Sequence, residues 1–465
     1  MSATSAAAAM PIPTANPLLS GRILPTLLRL ALPNVLAMTA TVLVGVAETS
    51  YIGILGTQPL AAMALVFPFA MLTQMMSAGA MGGGVSSAVS RALGAGDVLR
   101  ARALALHAVA IGIIAGVLYS FVFLVFGPAL YRLLGGSAGV LVEATRYSNV
   151  LFSGAVLIWL SNSLASVLRG TGNMKLPSIT ILTTSLLQIV LGGSLGLGLG
   201  PLPRLGMPGV ALGQLVATGA GVAVLLWYLR SNRGRLRLAF QGIAFRGEMF
   251  FDILKVGALA CLSPVQAVLT VLIFTALVAR FGVPALAGYG IGVRLEFLLI
   301  PIAFGVGVAA VPMVGMAIGA GEVPRARSVA CTAGGVTALM LGLIGLVVAV
   351  APDLWAGLFT REEAVLLAAR QYLRFAGPGF AFFGLGLTLY FAAQGSGNVL
   401  GPVLASTLRL LLVAIGGAWL AQGGAGVAAL FALVGASMTA YGLATAAAVF
   451  FTRWGGARKS RAAPA

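Results

Sequence analysis

Twelve apolar runs follow one another along this chain, at about 24–54, 60–92, 102–126, 142–167, 177–200 and 207–229, then 250–280, 285–318, 327–350, 370–393, 401–421 and 424–452. Each is about twenty residues or longer, enough for a helix to cross the hydrocarbon core of a bilayer. Backbone in hydrocarbon must satisfy its own polar groups, and runs this apolar do so as helices. An all-α polytopic membrane protein with twelve transmembrane helices is therefore expected. With 60% hydrophobic and 8% charged residues among 465, and a mean hydropathy of +1.05, no soluble core could hide this much apolar surface.

The spans fall into two copies of six. Gly94-Ala-Gly-Asp97-Val-Leu-Arg100-Ala-Arg102 recurs 225 residues later as Gly319-Ala-Gly-Glu322-Val-Pro-Arg325-Ala-Arg327, identical at seven of nine positions. At the same offset Arg169-Gly-Thr-Gly-Asn173 returns as Gln394-Gly-Ser-Gly-Asn398, and Tyr147 as Tyr372. Several matches at one offset mark an internal repeat. Six spans per copy is even, so both copies enter the membrane in the same sense, as a parallel repeat of two pseudo-symmetric six-helix lobes. The expected organisation is a mobile tail over 1–21, a first lobe over 22–229, a basic linker over 230–249, a second lobe over 250–452 and a basic tail over 453–465.

A formal charge of +18 would suggest nucleic acid in a soluble protein. Here the cations sit in short loops and tails, nineteen Lys and Arg on one face of the bundle against seven on the other. Positive residues stay cytoplasmic, so both termini are expected inside. Met1 to Ser20 lacks the basic start and apolar core of a signal peptide. Cys261 and Cys331 lie in apolar runs, and with a single His no metal centre or disulfide framework is expected. One His and ten acids, mostly in loops, assemble no catalytic constellation, so the chain does not read as an enzyme.

The informative residues are the charges inside spans, because an ion in hydrocarbon needs a cavity, a proton or a partner. Glu48 closes the first span; it reads either as a site in a transport pathway or as a side chain reaching water at the helix end. Arg294 and Glu296 lie in the eighth span, two residues apart and so not facing one another. Glu296 either lines a cavity between the halves or pairs with a basic group. Arg409, two turns into the eleventh span, reads as a side chain reaching the cytoplasm rather than a substrate contact. Tyr147 and Tyr372 read as interfacial aromatics or as hydroxyls lent to a site, symmetry favouring the first for at least one. His107 reads as a satisfied side chain near a helix end. Gly94, Gly96 and Asp97, with Gly319, Gly321 and Glu322, form turns in which Gly permits a left-handed exit and the acid can cap the next helix; a tight turn is expected over a hinge. Pro33 and Pro264 are candidate kinks.

The pattern Glu48-Thr-Ser-Tyr-Ile-Gly53-Ile-Leu-Gly56, followed by Gly94-Ala-Gly-Asp97, Arg169-Gly-Thr-Gly-Asn173, Gly292-Val-Arg294-Leu-Glu296 and Gly319-Ala-Gly-Glu322, resembles the multidrug and toxic compound extrusion (MATE) transporters over about 28–451. The resemblance implies efflux of organic, often cationic compounds driven by inward flow of H⁺ or Na⁺ across a bacterial inner membrane. It places Glu48 at the family's acidic position in the first span and Tyr147 close to the cation site of the first lobe. In the fifth span Gln188-Ile-Val-Leu-Gly192 stands where the family often has Asn-x-x-x-Asp, and no acid occurs from Gln371 to Ala393. Sodium wants several hard oxygen ligands, whereas a proton needs one carboxyl that is buried in one state and hydrated in another. H⁺ antiport is therefore expected, with Na⁺ as the alternative and a lipid or oligosaccharide flippase as the rival. Glu48, Tyr147, Gln188, Glu296 and Arg294 are the expected cation-coupling or substrate residues. The expected partners are small organic molecules and the surrounding lipid, with no cofactor and no second subunit.

Overall fold

The structure is a computed structural model that describes residues 17–136, 138–201, 203–231, 233–238 and 244–455. Twelve helical spans cross it: α1 (Ile23–Leu55), α2 (Thr57–Gly94), α3 (Val98–Leu133), α4 (Gly139–Ser153 and Ala155–Gly170), α5 (Lys175–Leu197), α6 (Met207–Arg230), α7 (Gly247–Ala279), α8 (Val283–Gly319), α9 (Val323–Val350), α10 (Glu363–Ala376 and Gly379–Ser396), α11 (Leu400–Gln422) and α12 (Val427–Phe451). Large apolar side chains lie exposed on the outer surface, Leu43, Ile114, Leu186 and Ile415 each by more than 60%. That surface suits lipid rather than water, and the chain is an integral membrane protein.

The repeat is carried in the backbone as well as in the sequence. α3 and α9 begin 225 residues apart, as do α5 and α11. Gly96 and Gly321 both take the left-handed conformation, φ 77° and 83°, as do Gly172 and Gly397 at 86° and 83°. The first pair closes a Schellman motif at the end of α2 and of α8, with Asp97 N bonded to Ala92 O and Glu322 N to Ala317 O. The acids behind them differ. Asp97 accepts from Arg100 N at 2.8 Å and caps α3, whereas Glu322 makes no cap to α9, against the sequence expectation for both.

Both fourth spans are bent, by 44° at Gly154 and by 55° at Gly377-Pro378. At the second bend a Cβ on Gly377 would strike Gly345 O of α9, so the kink falls where two backbones cross without a side chain between them. The break expected at Pro264 is present, since α7 is interrupted at Cys261. Proline lacks the N–H that would bond the carbonyl four residues back, and Tyr390 Oη donates to that carbonyl, Ala260 O, at 3.0 Å. α1 runs through Pro33 without interruption.

The lobes share a core at one end only. At the end that carries the Gly96 and Gly321 turns, Val85, Ala88 and Val89 of α2 join Val256, Val308 and Tyr390 in one buried cluster, and Leu27 and Ala31 of α1 join Met313 and Ala317 of α8 in another. At the opposite end each lobe keeps a core of its own, around Ile52, Val66 and Phe152 in the first and Phe274, Tyr372 and Phe431 in the second. The halves of α2 and α8 on that side make no comparable contact. The two lobes thus form a V joined at the turn end.

Polar contacts reinforce the joint. Asp252 of α7 accepts from Arg100 at 2.9 Å and from Arg91 at 3.3 Å, both from the other lobe, with Lys255 at 3.2 Å. Arg91 also bonds Ser87, whose hydroxyl reaches Gln394 O across the lobe boundary. Asp252→Asn leaves three cations around a neutral group. It is expected to cost about 1–3 kcal/mol and to lower the unfolding temperature of the detergent-solubilised protein; an unchanged temperature would show the cluster to be ornamental.

The connecting segment 230–249 is less detached than its charge suggests. Leu236 and Leu238 are buried in the shared core, and Leu238 N bonds Leu229 O at 2.8 Å. His107 accepts from Arg246 N at 2.9 Å and packs edge-on against the stacked rings of Phe245 and Phe250, a satisfied side chain that fastens the connection to α3. Within the expected mobile tail over 1–21, residues 17–20 form a helical turn, and Arg325 donates to Leu18 O and Gly21 O at 3.1 and 2.6 Å. That end of the tail is held; residues 1–16, like residues 239–243 of the linker and 456–465 of the basic tail, lie outside the described residues.

Candidate functional site

Among the described residues, Glu48 of the first lobe is buried and Glu296 of the second is half-buried and engaged by Tyr372. In the first lobe Glu48, near the last turns of α1, is 8% exposed and accepts a hydrogen bond of 2.6 Å from Gln188 Nε2 of α5. Gln188 stands where an Asn-x-x-x-Asp pattern would begin and Gly192 where its acid would fall, so the partner of Glu48 on α5 is a neutral amide. Tyr147 of α4 is buried at 4% exposure and within electrostatic reach of Glu48. The structure thus brings Glu48, Gln188 and Tyr147 together. No group of three His, Cys, Asp or Glu that could hold a metal ion occurs among the described residues. The side-chain hydrogen bond made to Glu48 comes from an amide nitrogen, a donor that offers sodium no oxygen.

In the second lobe Glu296 of α8 lines a cavity of 310 Å³ between α2, α7, α8, α10, α11 and α12. Tyr372 of α10 donates to Glu296 Oε1. Its ring is wedged edge-on between Tyr289 and Phe431, with centroids 5.3 Å from each, and a Cβ on Gly292 would collide with it. Tyr147 and Tyr372 are equivalent by the repeat, and each attends the acid of its own lobe. The acids themselves sit on helices that are not equivalent, α1 and α8. The expectation that at least one tyrosine belongs to the membrane interface is corrected: both are buried within their lobes, Tyr147 at 4% and Tyr372 at 1% exposure.

Two further expectations change. Arg294 turns away from the cavity; it is exposed and lies over the Phe359 ring at 5.5 Å, so it does not belong with the site residues. Two residues along a helix is about 200° of rotation, which puts it on the face opposite Glu296. Arg409 does not reach for the helix end but lines the cavity with Glu296, its guanidinium 5.2 Å from the Phe383 ring centroid. The sequence signal that could have placed it was its depth. It follows Leu400 by nine residues, which is about 14 Å along the helix.

Gly94, Gly96, Asp97, Gly319, Gly321 and Glu322 stand apart from both acids, at the joint. Gly96 and Gly321 make the turns, while Gly94 and Gly319 are where α2 and α8 touch, a Cβ on either one colliding with the backbone of the other helix. Tight packing of the Gly192-Gly193 stretch holds as well, with Gly213 of α6 against the backbone of Gly192.

Two separate stretches, 33–192 and 260–420, match the MatE family, one in each lobe and together well over half of the chain. The protein belongs to the MATE family. MATE relatives share the fold throughout. The probable multidrug resistance protein YoeA of Bacillus subtilis is 25% identical over 77% of both chains, and the probable multidrug resistance protein NorM of Thermotoga maritima 24% identical over 83% of this chain and 82% of its own. An FAD transporter of Shewanella oneidensis is 28% identical over 67% of this chain and 68% of its own. A MOP superfamily transporter from Pyrococcus furiosus, described as having a binding pocket of reversed polarity, superposes with a TM-score of 0.86 at 22% identity, covering 93% of this chain and 96% of that one. The bent form of the Vibrio cholerae MATE transporter VcmN gives 0.83 at 23% identity over 92% and 96%. As a MATE member the protein is a transporter whose spans cross the membrane.

Proposed function

We propose that this MATE protein exports amphipathic organic compounds, cations foremost, in exchange for H⁺, with Glu48 as the coupling carboxylate. The observation that carries this reading is the company Glu48 keeps: a buried carboxylate whose hydrogen-bond partner is a neutral amide, Gln188. A carboxyl of this kind holds a proton where it is sealed and releases it where water reaches it, whereas sodium would leave most of its coordination unmet. An organic cation and a proton then compete for one negative charge. Each partner neutralises it in a different lobe arrangement, which is the differential interaction that a ligand-driven change of state requires.

The V supports the same reading. With the basic loops cytoplasmic, the turn end is the inner end and the arms open outward, in the state that releases substrate and takes up a proton. The 310 Å³ cavity has an apolar and aromatic lining, including Met71, Pro264, Phe304 and Phe391, which suits the apolar body of an amphipathic molecule. A pH gradient supplies about 1.4 kcal/mol per unit, and membrane potential about 2.3 kcal/mol per 100 mV for each charge moved. The site of action is the plasma membrane of a bacterial cell.

The test is uptake of ethidium into everted membrane vesicles energised by an inside-acid gradient, with and without Na⁺. Uptake is expected to collapse when the gradient is dissipated and to proceed without Na⁺. Uptake that needs Na⁺ and ignores the pH gradient would reassign the driving ion; absence of uptake for any lipophilic cation would remove the export reading.

A further inference from the structure

The cavity of the second lobe holds a charge that proton-coupled export of cations does not use. Arg409 sits deep in α11 and faces an apolar space, yet its guanidinium makes no hydrogen bond or ion pair among the described residues, and its Nε is sealed from solvent without a partner. The Phe383 ring lies against the guanidinium, whose charge is felt at Glu296 and Tyr441 without a hydrogen bond to either. Glu296 lines the same cavity, but it is engaged by Tyr372 and forms no ion pair with Arg409. A guanidinium kept unpaired inside a membrane protein is costly, and such cations mark the place where an anion is received.

We infer that this cavity binds an oxyanion carried on an apolar, aromatic body, a carboxylate or phosphate received by Arg409, with Glu296 in the same cavity for a cationic substituent. The two terminal Nη groups, which unlike Nε are not sealed, form the outer edge of the guanidinium fork, which matches the two oxygens of a carboxylate or phosphate. Phe383 lies against the guanidinium, its ring centroid 5.2 Å from the guanidinium carbon, which leaves the side chain less freedom to lose on binding. Phe304 and Phe391 meet edge-on at 5.0 Å and offer a wall for a flat ring system. At 310 Å³ the space falls at the lower end of the range for small-molecule pockets, about 300–1,000 Å³. The inference builds on the exporter reading by naming a substrate class for the second lobe, zwitterionic or anionic aromatics. It does not depend on which ion drives transport.

The oxyanion can arrive on a soluble aromatic acid or on an anionic lipid, and binding measurements separate these. Purified protein in phosphatidylcholine nanodiscs is dialysed to equilibrium against radiolabelled naphthoate, naphthalenemethanol or naphthylmethylammonium. Naphthoate is expected to occupy one saturable site at least ten times more tightly than the alcohol. Arg409→Gln is expected to erase that preference and Arg409→Lys to keep part of it, while Arg294→Gln, on the exposed face of α8, leaves it intact. If phosphatidylglycerol discs abolish naphthoate binding through Arg409, the resident oxyanion is a lipid phosphate; if they leave it unchanged, it is a soluble acid. Equal binding of acid and alcohol by the wild type, or a wild-type preference in the Arg409→Gln protein, overturns the inference. The first of these needs no variant to fold. Loss of gradient-driven export with naphthoate binding intact would strike the exporter reading alone, and the converse result would strike this one.

Discussion

Glu48→Gln is expected to abolish gradient-driven export, reducing ethidium uptake by everted vesicles at least about tenfold, to the level of unenergised membranes. The substitution keeps the size of the side chain and, through its amide carbonyl, an acceptor for Gln188 Nε2, which in the native protein donates to Glu48 at 2.6 Å. Fold stability should therefore change by no more than about 1 kcal/mol, the worth of one exchanged hydrogen bond. What is lost is the charge that a proton and an organic cation contest. Glu48→Asp keeps the charge and withdraws it by one methylene from Gln188, so partial export is expected. The decisive comparison is between insertion and transport: equal amounts of folded protein in the membrane, with uptake lost in the Gln variant and partly retained in the Asp variant. Full uptake by Glu48→Gln would sink the assignment of coupling to this residue and would move attention to Glu296, the acid that lines the 310 Å³ cavity.

How much of this was legible in the sequence depended on which geometric variable a residue pattern encodes. Apolar length encodes depth, and the twelve spans, their two lobes and their pairing at an offset of 225 followed from it. Turn chemistry is also local, so the glycine pattern alone places left-handed turns at the ends of α2 and α8, where Gly96 and Gly321 form them. Rotation about a helix axis is different. Helices such as α8 and α12 are apolar on every side, so no hydrophobic stripe reports which way a given residue faces. That is why the sequence groups Arg294 with Glu296, although the two lie on opposite faces of α8. The bends in α4 and α10 compound the difficulty, because each re-aims the following residues by an angle that depends on the backbone packed against it, such as Gly345 against Gly377. The pairing of Glu296 with Tyr372 joins residues 76 positions apart and had no local signature at all.

Gly94→Val and Gly319→Val are expected to pry the lobes apart at their joint, and the expected size of that effect follows from what each Cβ would meet. At Gly94 it would lie 2.7 Å from Met316 Cα and 2.8 Å from Met316 C; at Gly319 it would lie 2.9 Å from Arg91 C and 3.0 Å from Ala95 N. These are backbone atoms of a facing helix and cannot rotate away. Overpacking of this kind costs about 1–3 kcal/mol, which corresponds to about a 5- to 150-fold shift between two states that differ in this contact. The shift is directional, because the clash exists only while the turn end is closed. Ser90, fully buried at the joint beside Gly315, reports it: in a protein with Cys261 and Cys331 replaced and Ser90→Cys introduced, maleimide labelling should rise by that factor in both Val variants. Export should fall with it, since a transporter held in one arrangement cannot alternate. Gly96→Ala and Gly321→Ala provide the contrast. Nothing lies within 4 Å of their Cβ positions, and their cost is the left-handed backbone alone, φ 77° and 83°. That strain is about 1–2 kcal/mol and should lower stability without raising Ser90→Cys labelling. If all four variants label alike, the glycines act only as turn formers; if the Val variants alone open the joint, the repeated Gly-x-Gly carries two separate functions, a crossing at its first glycine and a turn at its second.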